Sequence, residues 1–592
     1  MCGFLGKVSF NDFDENTLLK SNNLIECRGP DSKIQETSNT NDIKYSYIFN
    51  RLAILDISEN ANQPMFSEDN SKILMFNGEI YNHKELRKDL KLKSINFFTN
   101  NSDSEVVLKG LITYGTSFID RLRGQFSIYF HDKENKKIII SRDRLGQKPF
   151  YYFIDDKNLI FGSNLFSVSQ IVDTSIDENQ ISKYLGLSVI SSPDTLFRNI
   201  KKVNPAETIY IDYSNSKFSA SSQFYWNIED FIDEKEFKSE EFFDLLSEAI
   251  DIRTKADVPI ANFLSGGIDS TSIVKNLSDK SFEVNTFSVG VDNLDYDESR
   301  WSNKVSEFYK TNHKSINISS NINIYEVEES LKSLDEPYSD PSVVPSYLLS
   351  KEISKYYKVA ISGDGADELL GGYQRVQNSL NHNSSIRNLF SKLYKPYPGF
   401  LGTGNFFLSM SKDTKSVYNS FLIDEKLVKL MGINNFNENV YFDLNSSKYK
   451  NILYSEFKFF LSEMMLFKVD RTSMQNSIEV RSPFVDHKLV EYIFSHSHDY
   501  LEFENPKAIL KNYLIDDLGK DFVNRKKKGF VFDIENWVYS NMDYLNEIFS
   551  SGKIVNQYSP NLIKLLLLNK SRINSHRIWK LYVLEKYLSR IN

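Results

Sequence analysis

Hydrophobic and polar residues alternate in short runs over the first third of the chain, which is the pattern of half-buried β-strands. Turn-forming residues separate these runs, and residues 104–114 have instead the spacing of a helix. We therefore predict stacked antiparallel sheets with a helix on one face. The predicted strands are residues 45–50, 72–76, 126–131, 136–142 and 150–154.

The pattern changes after a polar stretch at 212–222, which has the composition of a connector. Strands then alternate with helices, which indicates a parallel α/β sheet, and helical patterns dominate after Leu380. The predicted strands here are 258–264, 284–289 and 358–361, and the predicted helices are 270–277 and 297–309. The predicted domains are an N-terminal α+β domain at 1–212, a connector at 213–235, and an α/β domain with a helical C-terminal part at 236–592.

The chain has 592 residues, more than one hydrophobic core usually holds, so two or more domains are expected. A net charge of −8 gives no electrostatic reason to expect a nucleic-acid partner. Two cysteines are too few for a disulfide framework and suit a reducing compartment. No apolar run reaches the ~18–20 residues of a membrane span, and no secretory signal pattern is visible. We predict a cytoplasmic protein without a membrane partner.

Cys2 follows the initiator Met1 and precedes Gly3. A small second residue favours removal of Met1, which would leave a thiol and a free α-amine on the same residue. The α-amine titrates near pH ~7.7–8.0, so it could act as a base beside a sulfur nucleophile. Cys2 is therefore a candidate nucleophile, and the alternative is a small buried residue without a chemical role.

A first loop suited to a nucleotide follows a predicted strand. The strand ends at Leu264, and a helix begins after Ser265, Gly266, Gly267, Ile268, Asp269 and Ser270. Backbone N–H groups at such a turn favour phosphate, and Asp269 is a candidate Mg²⁺ ligand. The pattern GxxxxGK[ST] is absent, which disfavours ordinary γ-phosphoryl transfer. A strand-to-helix turn without a ligand is the alternative.

A second, acidic loop follows the predicted strand 358–361 and contains Ser362, Gly363, Asp364 and Asp367. Open α/β sheets bind ligands just beyond the carboxyl ends of their parallel strands. Asp364 and Asp367 could therefore share a metal–pyrophosphate site with Asp269. A glycine- and aspartate-rich turn without a ligand is again the alternative.

Several motifs along nearly the whole chain resemble the glutamine-dependent asparagine synthetases, and they occur in the order of that family. The N-terminal motifs are Cys2-Gly3, Arg28-Gly29-Pro30-Asp31, Asn50-Arg51-Leu52, Asn77-Gly78-Glu79-Ile80-Tyr81-Asn82 and Ser102-Asp103-Ser104-Glu105. The C-terminal motifs are the two loops, Lys468-Val469-Asp470-Arg471 and residues 479–486. The resemblance implies an antiparallel sandwich of the N-terminal nucleophile hydrolase type, followed by an ATP-pyrophosphatase-type synthetase domain with a helical C-terminal part.

For the first domain the resemblance implies a glutaminase. Cys2 would become the mature N-terminus and attack the side-chain amide of glutamine. The Asn77 side chain and the Gly78 backbone N–H would form the oxyanion hole for the tetrahedral intermediate.

Free glutamine carries a carboxylate and an ammonium group, so its pocket needs a cation and an anion. By resemblance, Arg51 would pair with the carboxylate, a task that suits a planar guanidinium. Asp103 would bind the ammonium group, with Glu79 as a second candidate.

For the second domain the resemblance implies activation of a carboxylate by ATP as an acyl-adenylate, with Mg²⁺ and release of pyrophosphate. Ammonia freed at Cys2 would travel through an internal tunnel and displace AMP. Asp364 would take part in adenylate formation, and Lys507 would lie near the reacting phosphate. The implied ATP-binding residues are Leu264, Ser265, Gly266, Gly267, Asp269, Ser270, Val289, Ser362 and Gly363, and the implied metal ligands are Asp269 and Asp367.

Two features depart from the family pattern. Cys27 stands where the family commonly has histidine, and a thiol cannot take up the charge of an imidazole near neutral pH. Residues 334–345 resemble a branch that includes members from surface-polysaccharide or secondary-metabolite pathways. The acceptor carboxylate could therefore be aspartate or another acid such as a uronic acid.

We expect synthesis of asparagine from aspartate, ATP and glutamine, and the resemblance allows a homodimer. Three alternatives stay open: the same chemistry on another carboxylate, a β-lactam-synthetase-like ring closure, and a non-catalytic regulatory or scaffolding protein. Retention of Cys2, Arg51 and Asn77 argues against ring closure, which needs no glutaminase. The acidic loops at Asp269 and Asp364 argue against a non-catalytic protein.

Overall fold

Two six-stranded antiparallel sheets form the N-terminal part of the computed structural model, which describes residues 2–40, 42–280, 282–291, 299–318, 322–380, 392–410, 413–433, 436–497, 505–525, 532–559 and 561–591. The first sheet has the order β10-β8-β9-β1-β3-β2 and the second β12-β11-β7-β6-β5-β4. The strands of the first sheet are β1 (Cys2–Ser9), β2 (Ser32–Asn39), β3 (Lys44–Arg51), β8 (Tyr151–Ile154), β9 (Asn158–Gly162) and β10 (Lys201–Lys202). Those of the second are β4 (Met65–Phe66), β5 (Lys72–Ile80), β6 (Gly124–Asp132), β7 (Lys137–Arg142), β11 (Glu207–Asp212) and β12 (Ser219–Phe224).

The two sheets pack face to face through one apolar core, because alternate residues of their strands point inward. Phe4 and Phe161 come from the first sheet, and Met75 and Tyr129 from the second. Helices cover the outer faces of both sheets. The helices of this part are α1 (Glu15–Asn22), α2 (His83–Leu92), α3 (Asp103–Tyr114), α4 (Leu165–Ser169) and α5 (Glu178–Leu187).

A five-stranded parallel sheet of order β15-β14-β13-β16-β17 follows. Its strands are β13 (Ile260–Phe263), β14 (Asn285–Val291), β15 (Asn312–Ile318), β16 (Val359–Ile361) and β17 (Glu479–Arg481). Its helices are α6 (Ser239–Arg253), α7 (Ile268–Asp279), α8 (Ser299–Tyr309), α9 (Ile324–Lys332), α10 (Val343–Ile353) and α11 (Ala366–Leu369). The order places β13 and β16 side by side, so the loops after both strands meet at one edge.

After α11, the described part of the chain is mostly helical, apart from β17. Its helices are α12 (Gln374–Leu380), α13 (Asn405–Ser409), α14 (Thr414–Leu422), α15 (Glu425–Leu430), α16 (Lys448–Ser455), a π-helical segment (Glu456–Met465), α17 (Leu466–Met474), α18 (His487–Ser495), α19 (Ala508–Leu518), α20 (Lys520–Val523), α21 (Ile534–Ser540), α22 (Met542–Ser551), α23 (Lys553–Tyr558), α24 (Leu562–Leu567) and α25 (Arg572–Leu588). Within the described ranges, no helix is both long and apolar enough to cross a bilayer.

The predicted fold class is confirmed, and every predicted strand and helix overlaps an observed element of the same type. The first two residues of the helix predicted at 297–309 lie outside the described residues. The prediction of a connector at 212–222 is wrong, because Ser219–Phe224 pairs with β11 as the edge strand β12. For the same reason, residues 219–224 do not belong to the connector predicted at 213–235. All six side chains of β12 are exposed, and its sequence has no apolar alternation. Backbone pairing and a hydrogen bond from Gln223 Nε2 to the Tyr210 hydroxyl at 2.7 Å hold this strand on β11. The other domain boundaries stay a prediction.

His131 is fully buried between the two sheets in a chain of hydrogen bonds. Its Nδ1 lies 2.8 Å from the Tyr47 hydroxyl and its Nε2 lies 2.8 Å from the Tyr213 hydroxyl, while Tyr47 also contacts the Tyr129 hydroxyl at 2.7 Å. Burial lowers the pKa of His131 to about 3. The ring is therefore neutral in the folded protein at neutral pH.

Because His131 is buried in its neutral form, we predict that acid lowers the stability of the N-terminal domain. The folded-state pKa of His131 lies below the unfolded value of about 6.5, so the unfolded chain binds one more proton between those limits. The free energy of unfolding should fall as the pH drops from about 6.5 towards 3, by up to about 1.4 kcal/mol per pH unit from this group. Urea unfolding at several pH values should show a shallower dependence for His131→Phe. Identical slopes for both proteins would contradict this assignment.

Candidate active sites

Cys2 begins β1 and pairs with Arg51 at the end of β3. Its side chain is buried, and its backbone nitrogen donates a hydrogen bond to Asn77 Oδ1 at 2.9 Å. Burial raises the pKa of the Cys2 thiol, and Arg51 opposes that shift. A thiol in this setting needs a base to become a thiolate at neutral pH.

Asn77 and Gly78 belong to β5, and Asn77 contacts Cys2 of β1. Asn77 uses its Oδ1 for Cys2, while its buried Nδ2 contacts no acceptor within the described part of the chain. A Cβ atom on Gly78 would lie 2.1 Å from the Gln125 carbonyl oxygen, so only glycine lets β5 and β6 approach here. The site therefore has a buried amide donor beside the candidate nucleophile without a protein partner.

Arg51 is buried, and its guanidinium organises the loop that follows β3. Nη1 donates to the Ser58 carbonyl at 2.7 Å and to Asn62 Oδ1 at 2.9 Å, and Nη2 donates to the Asp56 carbonyl. No carboxylate of the described residues forms an ion pair with Arg51. Its charge is therefore available to an anion that enters the pocket.

Asp103 and Glu79 lie on the other side of this site, and both are buried. Asp103 begins α3 and accepts a hydrogen bond from the Ile80 N–H at 3.0 Å. Glu79 forms an ion pair with Arg481 of the parallel sheet at 3.3 Å. Burial raises the pKa of each carboxyl group above its usual value. Asp103 thus fits the predicted ammonium ligand, whereas Glu79 faces the second domain.

Arg481 lies on β17 and links the two halves of the protein. Its Nε also donates to Glu479 Oε1 at 2.5 Å, so one buried guanidinium bridges carboxylates of both domains. The next residue, Ser482, donates to the Asp364 carbonyl. Arg481 and Ser482, which are neighbours in the chain, therefore link Glu79 to the second nucleotide loop.

Asp470 on α17 is a second link. Its carboxylate contacts Arg28 Nη1 at 2.8 Å, Arg471 Nη1 at 3.0 Å and Lys148 Nζ at 3.2 Å. Arg28 in turn donates through Nε to the Cys2 carbonyl at 3.2 Å. Although burial favours the neutral acid, these three cations hold the pKa of Asp470 below its usual range.

The Asp470 cluster predicts a large effect on stability. Asp470→Asn removes the charge that three buried cations share, and breaking a buried pair in this way costs about 3–5 kcal/mol. We expect a clear fall of the urea unfolding midpoint for this variant. The matched control is Asp12→Asn, which loses a 2.8 Å contact to Lys44 on the surface and should cost at most about 1 kcal/mol. Equal effects of the two variants would contradict the assigned role.

A small cavity lies between the domains next to this cluster. Its wall contains residues of the N-terminal domain, of α17 and of the second nucleotide loop. The lining residues are Gln125, Gln147, Lys148, Asp364, Leu466, Val469, Asp470, Ser473, Val480 and Ser482. The cavity thus touches residues of both domains, among them Asp364 of the second nucleotide loop.

The first nucleotide loop lies at the C-terminal end of β13, as predicted. Leu264 is buried and donates its N–H to the Phe287 carbonyl at 2.7 Å. The Gly266 φ angle of +72° is in the left-handed region, which glycine adopts without strain. Ser265 Oγ accepts the Gly267 N–H at 3.1 Å and lies 3.3 Å from Ser270 Oγ, which keeps both hydroxyls at the start of α7.

The second nucleotide loop follows β16 and meets the first at Lys507. Lys507 Nζ contacts Asp269 Oδ1 and Oδ2 at 2.6 and 2.7 Å, and Asp367 Oδ1 at 2.5 Å. Ser362 Oγ donates to Asp364 Oδ2 at 2.8 Å, and Gly363 lies between these two residues. The structure thus brings together the two predicted metal ligands and the predicted phosphate lysine.

Val289 lies near the end of β14, two residues beyond the last pair that joins β14 to β13. Its side chain is partly exposed. This position lies at the same sheet edge as the first loop, which suits its predicted part in ATP binding.

The donor set at Asp269 and Asp367 fits Mg²⁺. Magnesium usually binds through one or two carboxylates together with phosphate oxygens and water. The described part of the chain has no cluster of three or more histidine, cysteine or acidic residues that could hold a metal by itself. A metal at this site would therefore need oxygens from a bound nucleotide.

Sequence reasoning missed the links between the domains. It assigned no role to Lys148, Glu479 or Arg481, although two of these lie in a motif that it noted. The available signal was a Glu-x-Arg pair in a strand of the parallel sheet, where side chains are usually apolar. Cys27, the residue that replaces histidine, lies with its Sγ 3.5 Å from Gln475 Oε1, and burial raises its pKa.

Comparison with known proteins covers both parts of the chain. The asparagine synthase family matches residues 241–589, and a glutamine amidotransferase domain matches residues 1–226. Asparagine synthetase (glutamine-hydrolyzing) 1 of Bacillus subtilis (strain 168) is 29% identical over an alignment of 613 positions that covers 98% of this chain and 96% of the relative. Asparagine synthetase (glutamine-hydrolyzing) 3 of the same organism is 28% identical over an alignment of 568 positions that covers 90% of this chain and 87% of the relative. The chain therefore belongs to the asparagine synthase family and is a glutamine-dependent amidotransferase of the ligase class, for which ATP is the family's substrate.

Proposed function

We propose that this protein transfers the amide nitrogen of glutamine to aspartate and forms asparagine, AMP and pyrophosphate. The observation that carries the proposal is the cavity between the domains, whose wall contains Lys148 and Asp364. Lys148 shares Asp470 with Arg28, which donates to the Cys2 carbonyl, and Asp364 belongs to the second nucleotide loop. An enzyme that makes ammonia at one site and consumes it at another needs such a connection, because ammonium in water is a poor nucleophile at neutral pH.

In the proposed first step, the Cys2 α-amine takes the thiol proton and the thiolate attacks the glutamine amide carbon. The Asn77 Nδ2 and the Gly78 N–H stabilise the oxyanion, and the unpartnered state of Nδ2 supports this role. The amine then protonates the leaving nitrogen, ammonia departs, and water hydrolyses the thioester. Arg51 binds the glutamine carboxylate and Asp103 binds its ammonium group.

In the proposed second step, an acceptor carboxylate oxygen attacks the α-phosphorus of ATP and pyrophosphate leaves. Lys507 neutralises charge on the phosphates, and the backbone of the Ser265–Ser270 loop binds pyrophosphate oxygens. Ammonia from the first site then attacks the acyl-adenylate and displaces AMP. The Lys507 contacts to both loops support a single phosphate site.

Magnesium would be held by Asp269 and Asp367 together with phosphate oxygens. It would supply charge neutralisation on the triphosphate. Both carboxylates already converge on the Lys507 ammonium, which supports their capacity to share a second cation in the presence of phosphate.

The proposal is tested by pyrophosphate release from ATP and MgCl₂ with glutamine, with and without aspartate. Aspartate-dependent release together with asparagine as the product would support both the chemistry and the acceptor. Glutamine hydrolysis without aspartate-dependent release would show that aspartate is the wrong acceptor, and glucuronate would then be assayed. The homodimer and the cytoplasmic location stay predictions.

A further inference from the structure

Lys468 on α17 differs from the other buried lysines in what its ammonium group contacts. Its exposed fraction is 7%. Buried lysines that contact a carboxylate are Lys109, Lys148, Lys202, Lys450 and Lys507. Two more contact backbone carbonyl oxygens, namely Lys426 and Lys580. Lys468 has neither kind of partner among the described residues.

The Lys468 Nζ contacts only two side-chain atoms in the part of the chain that the structure describes. It lies 3.1 Å from Ser342 Oγ and 3.7 Å from Met465 Sδ. A hydroxyl and a thioether carry no negative charge, and a buried cation without an anion is costly. A protein that keeps such a charge has a use for it, and an anionic ligand is the simplest one.

The contact with Ser342 connects this charge to a segment that the sequence relates to the acceptor. Ser342 precedes α10 and lies in residues 334–345, where the sequence indicates variation in the acceptor. The positive end of the α10 dipole adds to the field of Lys468. The nearest carboxylate of this segment, Asp340, accepts the Ser342 N–H at 2.9 Å instead.

We propose that Lys468 and Ser342 bind the non-reacting carboxylate of a dicarboxylic acceptor. This inference rests on the proposed function and narrows its substrate class. The reacting carboxylate loses its charge when it becomes an acyl-adenylate, so it does not need a permanent cation. A second carboxylate keeps its charge through activation and amide formation, and it matches a fixed ammonium group. A hexuronic acid has only one carboxylate and would leave Lys468 unpaired after activation.

The test measures ammonia-driven pyrophosphate release by Lys468→Met while aspartate and ATP are varied in turn. We expect the KM for aspartate to rise about tenfold to a hundredfold, which is the effect of losing a charge-assisted hydrogen bond. The KM for ATP should change less than about twofold. Lys468→Arg should restore part of the affinity for aspartate. A rise in the KM for ATP with an unchanged KM for aspartate would overturn the proposal, because Lys468 would then bind phosphate.

Two controls separate a binding role from a structural one. Lys458 lies in the π-helical segment before α17, is partly exposed and contacts Glu229 at 3.6 Å. Lys458→Met should leave both KM values unchanged. The melting temperature of Lys468→Met should equal or exceed that of the wild type, because replacing an uncompensated buried charge by an apolar side chain is neutral or stabilising. A lower melting temperature with an unchanged KM for aspartate would make Lys468 structural and overturn the proposal.

A panel of acceptors separates this inference from the proposed function. The wild type is assayed with aspartate, glutamate, succinate and glucuronate. If the wild type is active with aspartate and Lys468→Met has an unchanged KM for aspartate, the subsite is overturned and the proposed function stays intact. Activity with glutamate or succinate but not aspartate, weakened by Lys468→Met, would uphold the subsite and reject aspartate. Activity with glucuronate alone, or with no acceptor, would reject both.

Discussion

Cys2→Ala should lower glutamine-driven amidation about 10⁴-fold or more and leave ammonia-driven amidation within about twofold of the wild type. The first activity needs the thiolate, since nothing else in the pocket can form the thioester. The second uses the nucleotide loops and other residues of the other domain and does not need Cys2. Parallel assays of asparagine formation with glutamine and with ammonium chloride measure both activities in one preparation.

The matched control for this change is Cys2→Ser, which keeps the size of the side chain and the α-amine. It should lose glutamine-driven activity almost as fully, because a hydroxyl is a far weaker nucleophile than a thiolate. Normal glutamine-driven activity in either variant would reject Cys2 as the nucleophile. Loss of ammonia-driven activity would show that the two sites do not work separately.

Asp269→Asn should lower pyrophosphate release at least about a hundredfold with either nitrogen source. The carboxylate is a proposed metal ligand and holds Lys507 through both of its oxygens. The uncharged amide of the asparagine cannot neutralise the charge of a metal ion. Of the two described carboxylates that contact Lys507, only Asp367 would remain. Glutamine hydrolysis should continue, because Cys2 and Asn77 lie in the other domain.

Asp279→Asn is the control for this second change. Asp279 ends the same helix, is more than half exposed and lies 4.0 Å from Lys275. Its replacement should leave pyrophosphate release unchanged. A normal rate for Asp269→Asn would reject the proposed metal and phosphate site, whichever nitrogen source is used.

Much of the fold follows from the chain alone because its strands and helices have strong local patterns. The β3 and β6 strands alternate clearly, and β13 and β16 are apolar runs that end in glycine-containing loops. The β12 strand could not be predicted, since its exposed serine-rich sequence carries no burial signal. The π-helical segment at 456–465 has an ordinary helical composition, so its wider hydrogen bonding depends on its packing.

Some contacts of the candidate sites could likewise be predicted from the sequence, and others could not. Asp269 and Asp367 were expected to share a site because parallel strands end at one edge, and they do meet at Lys507. The ion pair between Glu79 and Arg481 could not be predicted from the sequence, because it depends on how the two domains pack. That Lys468 has no anionic partner among the described residues could not be foreseen for a similar reason. A lysine is usually solvated, and only the burial of α17 makes its environment informative.

The central claim is that nitrogen passes from glutamine at Cys2 to an activated acceptor without entering bulk solvent. The most direct measurement supplies glutamine labelled with ¹⁵N in its side-chain amide, together with ATP, MgCl₂, aspartate and an excess of unlabelled ammonium at a pH near 7. Mass spectrometry then gives the ¹⁵N content of the asparagine amide. We predict that the product keeps most of the label. Product diluted to the isotope ratio of the bulk ammonium would contradict a connected pair of sites.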